Sequence, residues 1–137
     1  MVRVLAPNPG PFTLEGTNTW VVGREGSIVI DPGPDERRHV EAILQAAGRV
    51  EAILLTHRHP DHAPGADRLA AVTGAPIYAA SPAEGERAAG DGDRITGRWT
   101  ELEVVATPGH SEDHLAFFER GARALFTGDA VLGRARA

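Results

Sequence analysis

The stretch Leu54–His62, Leu-Leu-Thr-His-Arg-His-Pro-Asp-His, sets three histidines and one aspartate directly after an apolar run. The run that leads into it, Glu51–Leu55, predicts a buried strand. On an extended backbone the alternating His57 and His59 point to the same side, and Pro60 ends the strand because it cannot continue the hydrogen-bond ladder. Imidazole and carboxylate groups are good ligands for Zn²⁺ and similar ions. The stretch therefore predicts a metal-binding turn between a strand and a helix.

Two later residues are further candidate ligands, because one turn cannot easily satisfy two metal ions alone. His110 ends the segment Thr107–His110, and Asp129 ends the segment Phe126–Asp129. Each follows a predicted strand, and each has an adjacent glycine that permits close approach of the backbone. By contrast, His39 lies in a predicted helix beside two arginines, and we interpret it as an ordinary surface or core residue.

The composition limits the chemistry. The 137-residue chain contains no cysteine, so disulfides, thiol nucleophiles and thiolate ligands are excluded. Its formal net charge of −5 argues against a large nucleic-acid footprint. The length favours a single domain over residues 1–137. No apolar stretch is long enough to span a bilayer and no secretory signal is recognisable, so we expect no membrane partner and a cytoplasmic location.

Apolar periodicity predicts short strands that alternate with two helices. Asp35 is the predicted cap of the first helix and Gly48 its end, whereas the second helix begins near Pro64 and ends at Gly74. Residues 81–92 predict a loop. The predicted strands are Thr19–Val22, Ser27–Ile30, Glu51–Leu55, Pro76–Ala79, Glu101–Ala106, His114–Phe118 and Ala124–Thr127. The first two strands predict a hairpin, and the overall order indicates an α/β fold in which helices cover a mixed sheet.

The sequence resembles the metallo-β-lactamase fold hydrolases over nearly its whole length. The motifs that carry the resemblance are Asp-Pro-Gly in Ile30–Gly33, His-x-His-x-Asp-His in Leu55–His62, Thr-Pro-Gly-His in Thr107–His110 and Thr-Gly-Asp in Phe126–Asp129. Other segments, Pro7–Phe12 and Gly16–Thr19 among them, resemble the β-lactamase-like-protein-2 branch, to which glyoxalase II enzymes are close. The resemblance implies an α/β (α+β) fold, a metallo-β-lactamase-type αββα sandwich with its first half and part of its second.

The resemblance also implies a role for each candidate ligand of a two-zinc site. His57, His59 and His110 would bind one ion. Asp61 and His62 would bind the other, and Asp129 would bridge the two ions. Asp31 would hold a ligand histidine in orientation. The absence of cysteine fits this carboxylate-bridged class, and iron or manganese would tolerate the same ligand set.

A mechanism follows from this arrangement. Two metal ions about 3.5–4 Å apart lower the pKa of a shared water, and the resulting metal-bound hydroxide attacks an electrophilic carbonyl or phosphorus. Asp61 is the predicted catalytic residue, because it can orient the nucleophile or accept its proton. We therefore predict a metal-dependent hydrolase of a small-molecule ester, thioester or lactam, or of a phosphodiester.

The C-terminal end departs from the family pattern. No histidine follows His114, and the chain ends eight residues after Asp129, whereas family members continue and supply a further ligand histidine. We therefore expect a truncated product whose second metal site lacks one ligand. A homo-oligomer that covers the exposed sheet edge is a further expectation.

Three alternatives to a small-molecule hydrolase stay open. One is an RNA-cleaving member of the same superfamily, although the acidic charge gives no independent support for RNA. Another is a catalytically inactive metal-binding fragment that folds only with a partner or as an oligomer. The third is a metal–flavin redox protein, which would need a flavin domain or partner.

Overall fold

The computed structural model describes residues 2–5, 18–23, 26–33, 36–56, 64–98, 100–106, 115–121, 123–127 and 131–133. These residues form two helices, α1 (Arg37–Ala47) and α2 (Pro64–Thr73). They also form the strands β1 (Val2–Leu5), β2 (Asn18–Val22), β3 (Ser27–Ile30), β4 (Val50–Leu54), β5 (Ile77–Ala79), β6 (Arg87–Ala88), β7 (Arg94–Thr96), β8 (Glu101–Ala106), β9 (Leu115–Glu119), β10 (Ala124–Phe126) and β11 (Val131–Gly133).

Strands β1 to β6 form one six-stranded sheet in chain order. The first three strands pair antiparallel, and β3 to β6 pair parallel. Helix α1 connects β3 to β4 and α2 connects β4 to β5, as parallel neighbours require a crossover. Because other layers cover both faces of this part of the sheet, β3 is buried along its whole length rather than in alternation.

Strands β7 to β11 form a second sheet, antiparallel throughout, in the order β11-β10-β9-β8-β7. The register pairs Ala106 with Leu115 and Phe126 with Phe117. The carboxyl ends of β8 and β10 therefore lie beside the first residues of β9. Residues 107–114 and 128–130 thus connect to the sheet at this one end.

Two apolar cores hold the layers together. One lies between the helices and the first sheet, and the other lies between the two sheets. Successive residues of β3 divide between them: Val29 belongs to the first core, and Ile28 and Ile30 belong to the second. Between the sheets, the rings of Trp20 and Phe126 meet edge-on with their centroids 5.7 Å apart. The described residues therefore form α, β and β layers of the expected αββα sandwich.

Both predicted helices and all seven predicted strands are confirmed, with small shifts at their ends. The mixed sheet is confirmed for β1 to β6. The strands from β7 onward pair with one another and pack face to face on it, as the second sheet of the expected αββα sandwich. Strands β1, β6, β7 and β11 were not predicted, and β6 lies within the predicted loop 81–92. Glu36, not Asp35, caps α1, because its carboxylate accepts the backbone N–H groups of Arg38 and His39. Neither described helix has the length and apolar character to cross a membrane.

Candidate metal centre

One hydrogen bond joins the two sheets at the end of the sandwich where the predicted ligand segments begin. The N–H of Leu115, the first residue of β9, donates to the carbonyl of Thr56 at 2.6 Å. Thr56 directly precedes His57, and Leu115 directly follows the segment that contains His110. The chain that leads into the predicted metal-binding turn is therefore tied to the strand beside which β8 and β10 end.

Asp31 holds Thr56 from the side of the first sheet. One carboxylate oxygen accepts the Thr56 N–H at 2.9 Å, and the other accepts the Thr56 hydroxyl at 2.7 Å. Its own N–H donates to the carbonyl of Leu54 at 2.8 Å. Asp31 is fully buried and has a positive φ of 54°, a conformation that aspartate tolerates better than most residues. Three hydrogen bonds thus fix how β4 leaves the sheet.

The same short loop, residues 31–33, also binds the chain beyond the predicted turn. The carbonyl of Gly33 accepts the N–H of Gly65, in the first turn of α2, at 2.6 Å. Asp31 therefore anchors the residue before the segment 57–63, and Gly33 anchors a residue just after it. The described residues on both sides of the segment 57–63 are therefore bonded to one loop.

A buried threonine and a buried histidine support Asp31 from behind. The Thr19 hydroxyl donates to the carbonyl of Asp31 at 2.7 Å and lies 2.8 Å from Nε2 of His39. A hydroxyl has a single proton, and a carbonyl can only accept. The Thr19 oxygen must therefore accept a hydrogen bond from His39, which assigns the ring proton to Nε2.

Burial favours the uncharged form of the His39 ring by lowering its pKa. Burial lowers its pKa from the ordinary value of 6.5, against the opposing effects of the Pro32 carbonyl and the Glu36 carboxylate. Nδ1 forms no hydrogen bond of acceptable geometry among the described residues. With the single ring proton on Nε2, Nδ1 could donate to the Pro32 carbonyl only after the ring gained a second proton. A neutral ring that donates from Nε2 alone is consistent with the bond to Thr19. His39 thus lies in the core, which agrees with its interpretation as a surface or core residue, and its hydrogen bond to Thr19 is an addition that the sequence does not indicate.

The predicted metal ligands themselves lie outside the described residues, as does the catalytic candidate Asp61. They are His57, His59, Asp61, His62, His110 and Asp129. In the part of the chain that the structure describes, no group of three His, Asp or Glu is placed to hold a metal ion. The predicted centre therefore rests on residues 57–63, 107–114 and 128–130. Its imidazole and carboxylate donors fit zinc, and the chain offers no thiolate that would favour a different site.

Sequence reasoning missed three residues that build this end of the molecule. Thr56 directly precedes the conspicuous histidines, Thr19 begins a predicted strand, and His39 lies in a predicted helix beside two arginines. Their partners are 12 to 25 residues away along the chain. The sequence does contain one chemical indication. Thr56 lies at the end of a predicted buried strand, and a buried hydroxyl is stable only when it forms a hydrogen bond.

The fold and the anchored turn together define a helix-covered β-sandwich with a predicted metal centre at one end of its sheets. Residues 12–90 and 79–137 match the family model of the metallo-beta-lactamase superfamily. The chain belongs to that superfamily. The resemblance inferred from its motifs, and the sandwich fold inferred with it, are confirmed.

Individual proteins agree with this assignment. The lactamase-like protein ptaB of Pestalotiopsis fici is 38% identical over 145 residues, covering 100% of this chain and 46% of that protein. The atrochrysone carboxyl ACP thioesterase AgnL7 of Paecilomyces divaricatus is 39% identical over 141 residues, covering 97% of this chain and 45% of that protein. The chain thus spans about half the length of these curated relatives. The crystal structure of the BLEG-1 B3 metallo-beta-lactamase superposes with a TM-score of 0.74 at 21% identity, over 92% of this chain and 70% of that one.

Proposed function

We propose that this chain carries the metal centre of a zinc-dependent hydrolase that cleaves thioesters. The observation that carries the proposal is the hydrogen bond from Leu115 to Thr56, together with the register of β8, β9 and β10. Because these contacts set the ends of three ligand-bearing segments at one end of the sandwich, they support a shared centre.

In this proposal each ligand keeps the role that the family resemblance implies. His57, His59 and His110 would hold one ion, Asp61 and His62 would hold a second, and Asp129 would be shared. Zinc at such a site would lower the pKa of a water and polarise the substrate carbonyl. Asp61 orients the water or accepts its proton. Asp31 and Thr56 hold the start of the turn that bears these residues.

The thioester is favoured over the other substrate classes by three relatives that are named thioesterases. AgnL7, 39% identical over 141 residues, is named a thioesterase. Hydrolysis adds water across the C–S bond and yields a carboxylic acid and a thiol. The net charge of −5 gives no support for an RNA substrate, whose phosphates favour a basic surface.

The absence of cysteine makes the test direct. A small acyl thioester of N-acetylcysteamine is added to the zinc-loaded chain, and released thiol is followed with a thiol-reactive dye. Since the protein has no thiol of its own, every thiol detected comes from the substrate. We expect thiol release that a chelator abolishes and that Asp61→Asn lowers by two orders of magnitude or more, on the scale of general-base catalysis, about 10²–10⁴-fold.

Asp67→Asn is the matched control, because Asp67 is an exposed carboxylate in the first turn of α2. It should leave thiol release unchanged. Equal loss in both variants, or chelator-resistant turnover, would contradict the proposal.

A second candidate is a metal-binding protein without turnover, acting only with a partner chain or a second copy. The observation that favours it is the coverage of less than half of the relatives' length. It predicts bound zinc without thiol release, and a mass in solution above that of one chain. Sedimentation of the zinc-loaded chain, run beside the thioester assay, separates the two candidates.

A further inference from the structure

The described residues contain a buried polar chain that no catalytic role yet explains. It runs from His39 on α1 through Thr19 on β2 to Asp31 after β3, and on to Thr56 after β4. Thr19 and Asp31 are fully buried, and His39 is 2% exposed. Burying polar groups among apolar residues is unfavourable unless they are hydrogen-bonded. Ordinary core packing involves apolar side chains, whereas these four hydrogen-bonded polar residues lead to the edge of the predicted metal centre.

We propose that His39 and Thr19 are positioning residues for the predicted metal-binding turn, acting through Asp31 and Thr56. They fix the backbone of Asp31 in its left-handed conformation, and Asp31 in turn fixes the direction in which the chain enters His57. The inference rests on the proposed function only in that the turn is taken to bind the metal.

The hydrogen-bond directions form a consistent series. His39 donates from Nε2 to Thr19, and Thr19 donates to the carbonyl of Asp31. Thr56 donates its N–H and its hydroxyl to the carboxylate of the same aspartate. Asp31 is thus held through its carbonyl by one side of the fold, and it holds Thr56 through its carboxylate on the other. Movement of the Asp31 backbone would carry the carboxylate with it.

The conformation of Asp31 explains why support is needed. A φ of 54° is unfavourable for a residue with a side chain, and such conformations persist where surrounding contacts over-determine them. The Thr19 hydroxyl is the contact on the Asp31 carbonyl, and His39 sets the orientation of that hydroxyl by occupying its acceptor side. Without His39, the hydroxyl is freer to rotate away from Asp31.

Two substitution pairs test the proposal, each with a conservative partner. Thr19→Val removes the hydroxyl while keeping the shape, and Thr19→Ser keeps a hydroxyl. His39→Leu removes the donor, and His39→Gln retains an amide N–H near the position of Nε2. Ile43→Val is the control for general loss of packing, because Ile43 is a fully buried residue of the same helix that takes no part in the polar chain.

The readouts are the affinity for Co²⁺, followed by its visible absorption and by chelator competition, and the exchange rate of the Thr56 amide in the metal-free chain. We expect Thr19→Val and His39→Leu to weaken Co²⁺ binding about tenfold, the lower end of the range for residues that orient metal ligands. We expect Thr56 amide exchange to accelerate about tenfold, as the loss of one buried hydrogen bond predicts. Thr19→Ser and His39→Gln should keep the Co²⁺ affinity and the Thr56 exchange rate much closer to wild type. Ile43→Val should leave both quantities near wild type.

Equal changes in Ile43→Val would overturn the proposal, and so would wild-type affinity and exchange in both Thr19→Val and His39→Leu. The two pairs are independent, so one pair decides if a variant of the other does not fold. If the chain binds Co²⁺ but cleaves no thioester, the proposed function fails while the positioning role is still measured. If it binds no metal ion, Thr56 exchange alone decides the inference.

Discussion

The carboxylate of Asp31 accepts both hydrogen-bond donors of Thr56, the backbone N–H at 2.9 Å and the hydroxyl at 2.7 Å. The two residues are 25 positions apart and both are fully buried. Thr56 also accepts the Leu115 N–H from the second sheet. This pair is therefore where the first sheet, the second sheet and the predicted metal-binding turn are joined.

Removing the Asp31 carboxylate should destabilise the fold. Asp31→Ala leaves the two Thr56 donors without this acceptor and places alanine at a positive φ. Unsatisfied buried groups cost about 1–3 kcal/mol each, so we expect a loss of roughly 3 kcal/mol or more in the free energy of unfolding. Urea unfolding of the metal-free chain measures it. Asp31→Asn, which tolerates the same φ and keeps one acceptor oxygen, should lose less. A loss below about 1 kcal/mol in Asp31→Ala would contradict this assignment.

The Thr56 hydroxyl should contribute separately from its backbone. Thr56→Val keeps the shape of the side chain but removes the donor to Asp31. We expect a loss of about 1–3 kcal/mol, whereas Thr56→Ser should stay closer to wild type. A double-mutant cycle with Asp31→Ala gives the coupling between the two side chains. Additive effects would show that the contact contributes nothing to stability.

The end of α1 that bears His39 depends on its cap. The Glu36 carboxylate accepts the N–H groups of Arg38 and His39 at 3.2 and 2.9 Å. Glu36→Ala should lower the free energy of unfolding by about 1 kcal/mol, the usual effect of losing a helix cap. Arg37→Ala serves as the control, because the Arg37–Glu41 ion pair is exposed and such pairs contribute little. A larger loss in Arg37→Ala than in Glu36→Ala would contradict the capping role.

The stability of the chain should fall at mildly acidic pH because of His39. Burial holds its folded-state pKa below the ordinary histidine value of 6.5. Between the pKa of His39 in the folded chain and pH 6.5, the unfolded chain binds more protons than the folded chain. The free energy of unfolding is therefore fully present above about pH 6.5 and falls as the pH is lowered toward the folded-state pKa. The slope contributed by this group is at most about 1.4 kcal/mol per pH unit.

The comparison of wild type with His39→Gln isolates this effect. Urea unfolding of both metal-free proteins between pH 7.5 and 5 cancels the titration of the other histidines, which both share. We expect the wild type to lose more stability than the variant across this window. Parallel pH profiles would mean that His39 titrates normally in the folded chain.

The parts of the fold that the sequence predicted are those with strong local signals. The apolar runs of β3 and β4 and the glycine that ends α1 specify their structure within a few residues. The strands that were missed have only two to four residues, and β1 is stabilised by pairing with β2 across a long sequence gap. Such strands are defined by their partners rather than by their own pattern.

The candidate site divides in the same way. The cluster His57–His62 was visible because its residue types are rare in such density, and its metal-binding role stays a prediction. The hydrogen bonds among Thr19, Asp31 and His39 in the buried polar chain could not be predicted from the sequence. Each of these residue types is common, and the bonds join segments that are distant along the polypeptide. The pairing of β2 with β3 brings Thr19 to Asp31, and the packing of α1 against β2 brings His39 to Thr19.

The zinc content of the purified chain after exhaustive dialysis shows whether the predicted ligands bind a metal ion. We expect at least one tightly bound zinc ion per chain, lost in His110→Ala and retained in Arg37→Ala, which alters only an exposed side chain. Elemental analysis of the three proteins, with circular dichroism to establish that each is folded, gives the answer. Less than one zinc, iron or manganese ion per folded wild-type chain, or full metal content in His110→Ala, would contradict it.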